Sequence, residues 1–149
     1  MKLRLYLDTS VFSALFDDRA PDRLALTEEF WKTLPDYDHS TSDLAVEELR
    51  QTADPQLRAN MESLLTGFQI TPVTDEIRNL ADQYIQAGAF TRSMLNDAVH
   101  VAAATLSRQD ILVSWNFKHL VNRRRRATVC SVNAREGLPV LDILSPPEL

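Results

Sequence analysis

Asp8, Glu48 and Asp97 are acidic residues whose neighbours set them apart from ordinary surface charge. If their carboxylates converged they would repel one another, and burial would deepen the penalty unless a cation were held between them. A hard ion with oxygen ligands removes that cost, so Mg2+ or Mn2+ is the expected occupant. Such an ion retains several waters, can activate one as a nucleophile, and neutralises a phosphate under in-line attack. Ser10, two places after Asp8, is positioned to hydrogen-bond Asp8, one of those waters or substrate.

Each acid also has an ordinary explanation. Leu3, Leu5 and Leu7 alternate with Arg4 and Tyr6, a period of two that predicts a strand, and Asp8-Thr9-Ser10 then starts a helix. Asp8 there is equally an N-cap. In the helix expected from Ser42 to Thr52, with Leu44 at zero, Glu48 falls near 40° and Glu47 near 300°, while Ala45 and Leu49 lie near 100° and 140°. Glu48 therefore points to the apolar side and Glu47 to solvent; an ion pair with an arginine would also satisfy Glu48. Asp97 opens a helix, Met94 to Ser107, that is apolar on nearly every side and hence buried; a capping role competes with a functional one. His100, one turn on, could be a ligand beside Asp97, but the default for a lone histidine there is a hydrogen-bonded structural residue. Asn116 follows a short strand, Ile111 to Ser114; its amide oxygen could orient water or complete a metal shell, or simply make a turn.

The elements that must position these residues follow from the same pattern. Pro21 begins a helix with Leu24, Leu26, Phe30, Trp31 and Leu34 on its apolar side, and Pro35-Asp36 ends it. A strand near His39 to Thr41 precedes a helix capped by Ser42 or Asp43, and Asp54-Pro55 opens another that runs to Gly67. Phe68 to Thr71 reads as a strand, Thr74-Asp75-Glu76 caps a helix to Ala87, a last helix ends near Gly137, and Val140 to Leu144 adds a strand. Strands separated by helices imply βαβ units and a parallel sheet covered on both faces, the α/β class. In such sheets the functional crevice lies beyond the carboxyl ends of the strands, where Asp8 and Asn116 fall.

With 149 residues, three glycines and no repeat or linker-like tract, the chain is expected to form a single domain over 1–149 with one contiguous core. The lone Cys130 cannot form an internal disulfide, and no apolar stretch resembles a signal or a membrane span, which points to a cytoplasmic protein. A net charge of −5 argues against gripping nucleic acid over the whole surface, so any such contact must be local. Arg123 to Arg126 place four of the sixteen basic residues in a row, but on a helix they spread over about 300° and at most two can face one strand of RNA. Lys118, His119 and Arg123 are the candidate phosphate contacts, with solvated surface charge as the commoner role for such residues.

Taken together, Leu7-Asp8-Thr9-Ser10, Val46-Glu47-Glu48-Leu49 and Asn96-Asp97-Ala98 resemble, in order and spacing, the three motifs of the PIN-domain nucleases, in particular the small VapC-like toxins of toxin-antitoxin pairs. Val113 to Leu120 and Asn133 to Pro147 resemble one branch of them. The resemblance implies a three-layer α/β/α domain around a parallel sheet of four to five strands. It also implies hydrolysis of single-stranded RNA by Asp8, Glu48, Asp97, Asn116 and Ser10, with Asp8, Asp97 and Glu48 as metal ligands. A cognate antitoxin whose C-terminal segment covers the acidic pocket, and a homodimer, belong to the same implication. Asn116 departs from the family pattern, in which many members carry an acid, and this argues for one metal rather than two. Two other readings stand beside it. An α/β phosphatase could place Asp8 after its first strand, but a haloacid-dehalogenase-like site would require a second aspartate where this chain has Ser10. A catalytically inactive module of the same fold, binding RNA or a protein partner, draws on Asn116.

Overall fold

A computed structural model of the protein describes residues 1–149. Five short parallel strands, β1 (Arg4–Leu7), β2 (Asp38–Ser42), β3 (Gln69–Thr71), β4 (Ile111–Val113) and β5 (Asp142–Leu144), form one sheet in the order β3-β2-β1-β4-β5. Seven α-helices cover it: α1 (Thr9–Ser13), α2 (Pro21–Thr33), α3 (Asp43–Arg50), α4 (Pro55–Ser63), α5 (Asp75–Gln86), α6 (Leu95–Leu106) and α7 (Arg123–Arg135). Because β1 pairs with β2 on one side and β4 on the other, the chain order reverses beside β1, and the general rule for such sheets puts the functional crevice beyond Leu7 and Val113. That crevice is the place the topology reserves for a ligand.

Local chemistry sets the boundaries. Ser42 and Thr74 accept hydrogen bonds from the backbone N–H groups of Ala45 and Ile77 and so start α3 and α5, and Asp54 does the same ahead of Pro55. Gly137 lies beyond the end of α7 with φ near +69°, a left-handed turn that a side chain would strain.

The core is not contiguous as expected, because the sheet backbone divides it into two layers. Tyr6 and Leu112 face a 19-residue cluster built with α5, α6 and α7, whereas Leu5, Leu7, Ile111 and Val113 face a 12-residue cluster that includes Phe12, Phe30, Leu49 and Met61. Alternation along β1 and β4 sends successive side chains to opposite layers. A second departure lies on α2, where Leu26 is exposed and Thr27 is fully buried. Thr27 replaces the expected leucine because it satisfies its own hydroxyl: it donates to the Arg23 carbonyl and accepts from Trp115 Nε1. No helix is long and apolar enough to cross a membrane.

Candidate active site

Asp8 stands at the C-terminal end of β1 as the N-cap of α1, accepting from the Ser10 N–H at 3.1 Å and from Ser10 Oγ. The cap and the site therefore coincide in one residue. Its other oxygen, Oδ2, accepts from Ser114 Oγ at 2.6 Å, and its backbone N–H donates to Val113 O. Ser10 Oγ in turn accepts from the Trp115 N–H at 2.9 Å, so the ends of β1 and β4 are tied through hydroxyls. Only 5% of Asp8 is exposed, and burial pushes its carboxyl above the usual carboxylate range even though the charge of His100 and the serine hydrogen bonds oppose the rise.

Glu48 on α3 is half-buried while Glu47 is exposed, the division that the face geometry of α3 predicts. It does not meet an arginine. Glu48 Oε1 accepts from Thr9 Oγ1 at 2.8 Å and from His100 Nε2 at 2.6 Å. His100 Nδ1 lies 2.7 Å from the Tyr6 hydroxyl, which itself donates to Ser42 Oγ. The phenol oxygen is thereby left as an acceptor, and with a carboxylate on the other side both ring nitrogens act as donors. Burial alone would lower the basicity of His100, but Glu48, by hydrogen bond and charge, together with the charges of Asp8 and Asp97, holds the imidazole above its ordinary range. Burial likewise works to raise Glu48, and the hydrogen bonds from His100 and Thr9, with the charge of His100, more than reverse it. His100 is thus a hydrogen-bonded residue, as the default reading has it, and it ties Glu48 on α3 to Tyr6 on β1.

Asp97 occupies the first turn of α6 but makes no capping bond there. Its Oδ2 accepts from His119 Nδ1 at 3.0 Å. His119 therefore meets an acid in this structure rather than standing free for a phosphate. Asn116 makes the turn: its Oδ1 accepts from the His119 N–H at 2.9 Å, and its own N–H donates to Ser114 Oγ. The amide oxygen is directed into the loop that positions His119.

The basic run divides in two. Arg125 donates to Ala89 O and lies over the Phe90 ring, and Arg126 donates to Ile143 O, so both hold the fold together. Arg123 and Arg124 are exposed, as is Lys118.

The chemistry of the donors is that of a hard divalent cation, since Asp8, Glu48 and Asp97 offer carboxylate oxygens, and the hydrogen bonds of Glu48 and Asp97 fall on Oε1 and Oδ2 alone. No group of three or more His, Cys, Asp or Glu side chains is gathered to hold an ion; Glu48 is engaged with His100 and Asp97 with His119. Asp8, Glu48 and Asp97 are the residues that would hold one.

Sequence reasoning missed Ser114 and Thr9. Ser114 follows β4 and Thr9 follows Asp8, but only the strand order and the packing of α1 beside α3 reveal that they serve Asp8 and Glu48.

A family model described as PIN domain matches residues 5–117. Among solved structures, FitAcB from Neisseria gonorrhoeae superposes with a TM-score of 0.65 at 16% identity, covering 97% of this chain and 99% of that one. VapBC2 from Rickettsia felis, bound to a DNA fragment from its promoter, gives 0.60 at 14% identity over 96% and 98%. Mycobacterium tuberculosis VapC20, a sarcin-ricin loop cleaving toxin, gives 0.58 at 16% identity over 77% and 92%. These likenesses are of fold. No curated protein matches the chain.

Proposed function

The chain belongs to the PIN domain family, and from that premise we propose that it is a metal-dependent endoribonuclease, the toxin of a toxin-antitoxin pair. The observation that supports the reading is that Asp8 caps α1 where the sheet order reverses, while Glu48 reaches across from α3 to His100, one turn after Asp97 on α6. Three acids repel the scissile phosphate itself unless a cation intervenes, so cleavage on this reading requires Mg2+ or Mn2+, whereas the exposed cations beside the site can hold the strand without it. When bound, that ion supplies charge neutralisation at the phosphodiester and an activated water.

The protein's own groups do the positioning. Ser10 and Ser114 fix both oxygens of Asp8, and Thr9 and His100 fix one oxygen of Glu48 while leaving the other facing away from them. His119 orients Asp97. Exposed Lys118 and Arg123 follow β4 closely enough in sequence to meet the RNA backbone beside the crevice.

The relatives in fold that are toxin-antitoxin complexes support an antitoxin as partner, and a homodimer of this chain belongs to the same proposal. An inactive module that binds RNA or a protein is the rival, favoured by the commitment of the Asn116 amide to a turn. Incubation of purified protein with single-stranded RNA separates the two: cleavage that EDTA stops and added Mg2+ or Mn2+ restores is expected, and RNA bound but intact at every metal concentration would establish the rival.

A further inference from the structure

Phe117 is the one aromatic side chain of the crevice loop that the core does not use. It is 55% exposed, whereas Trp115 two residues earlier is 9% exposed and anchored by its Nε1 donating to Thr27 Oγ1. The loop that carries it is held from both sides. The Phe117 N–H donates to Trp115 O, Leu120 and Val121 N–H groups donate to Asn116 O, and Leu120 is fully buried. Phe117 meets Trp115 with ring centroids 5.9 Å apart and planes inclined at 67°, a T-shaped contact in which neither ring stacks flat on the other. Its neighbour Lys118 is exposed, and His119 beyond it contacts Asp97.

An exposed aromatic on a fixed turn gives up the gain of burial. Single-stranded nucleic acid makes use of that arrangement: bases stack on aromatic faces while adjacent cations meet the phosphates. We propose that Phe117 is a base-stacking residue, holding one unpaired nucleobase of the RNA next to the phosphodiester presented to Asp97. The inference rests on the ribonuclease reading and adds to it that the substrate must offer an unstacked base, as in a loop or single strand; paired bases present no free face.

The test uses single-stranded RNA decamers carrying 2-aminopurine at successive positions, bound to the full chain in EDTA so that no cleavage intervenes. Wild type and Phe117→Trp are expected to quench the fluorophore at one or two positions, and Phe117→Leu to lose that quenching and bind roughly tenfold more weakly. Leucine keeps an apolar side chain, so a surface that merely docks a protein would not make this distinction. Equal quenching and affinity for Phe117→Leu and wild type would overturn the stacking role. Because the readout needs no catalysis, it is independent of the cleavage assay: a wild type that quenches but cleaves nothing with Mg2+ would refute the ribonuclease and keep the stacking residue.

Discussion

Asp8 is buried with both oxygens engaged, and Ser114 is the partner it draws from another strand. Removing that hydroxyl leaves Oδ2 without its donor and frees the carboxylate to turn away from the crevice, while the small cavity left by alanine barely disturbs β4. Ser114→Ala is therefore expected to lower RNA cleavage roughly 10- to 100-fold, the usual cost of losing a residue that orients a metal ligand, with an unchanged circular dichroism spectrum; full activity in that variant would contradict the role given to it. At this scale the sequence disclosed the acids better than their partners. Asp8, Glu48 and Asp97 stand out by their positions at element starts and on an apolar face, features local to a few residues. The pairing of Glu48 with His100, separated by 52 residues, depends on α3 and α6 meeting, which no local pattern encodes.

The helices on one face are joined by polar as well as apolar contacts. Tyr84 on α5 donates to Asn133 Oδ1 on α7 at 2.6 Å and lies 3.2 Å from Thr105 Oγ1 on α6, while Asn133 Nδ2 is buried without a partner. Tyr84→Phe would strip the Asn133 amide of its remaining side-chain bond and is expected to cost about 1 to 3 kcal/mol in urea unfolding. Burial pushes the Tyr84 phenol up to about 12 against the combined pull of Thr105 and Asn133. A folded-state value above the unfolded value near 10 contributes stability that is whole below pH 10 and is lost as the pH rises toward 12. Stability measured across that window should fall less steeply in Tyr84→Phe than in wild type; parallel curves would remove Tyr84 from the account. The elements themselves were legible in the sequence because caps and breakers are local: Ser42, Thr74, Pro21 and Pro55 each stand where a helix begins. Sheet order was not, since the neighbours β1 and β4 are about a hundred residues apart and only the folded topology joins them. Thr27 escaped notice for a related reason, its burial being justified by an indole far along the chain.

Across the whole molecule the net charge is −5, and three cations, Lys118 in the loop after β4 and Arg123 and Arg124 at the start of α7, are exposed. Three cations neutralising phosphates of a single strand give a slope of log affinity against log salt near −2. Titration of RNA binding between low and physiological salt should return about that value, and a slope steeper than about −5 would mean a much larger phosphate footprint than this surface offers. Under the proposed ribonuclease function, affinity for RNA would come from this rim and reactivity from the acids at the centre. That division rests on the acids, and Asp97 is the best one to remove, because it is neither the cap of its helix nor the partner of His100. The rate of single-stranded RNA cleavage by Asp97→Asn in saturating Mg2+ is the measurement that matters most. It should drop to background while the variant unfolds like wild type; cleavage at the wild-type rate would show that the acidic crevice is not where the reaction occurs.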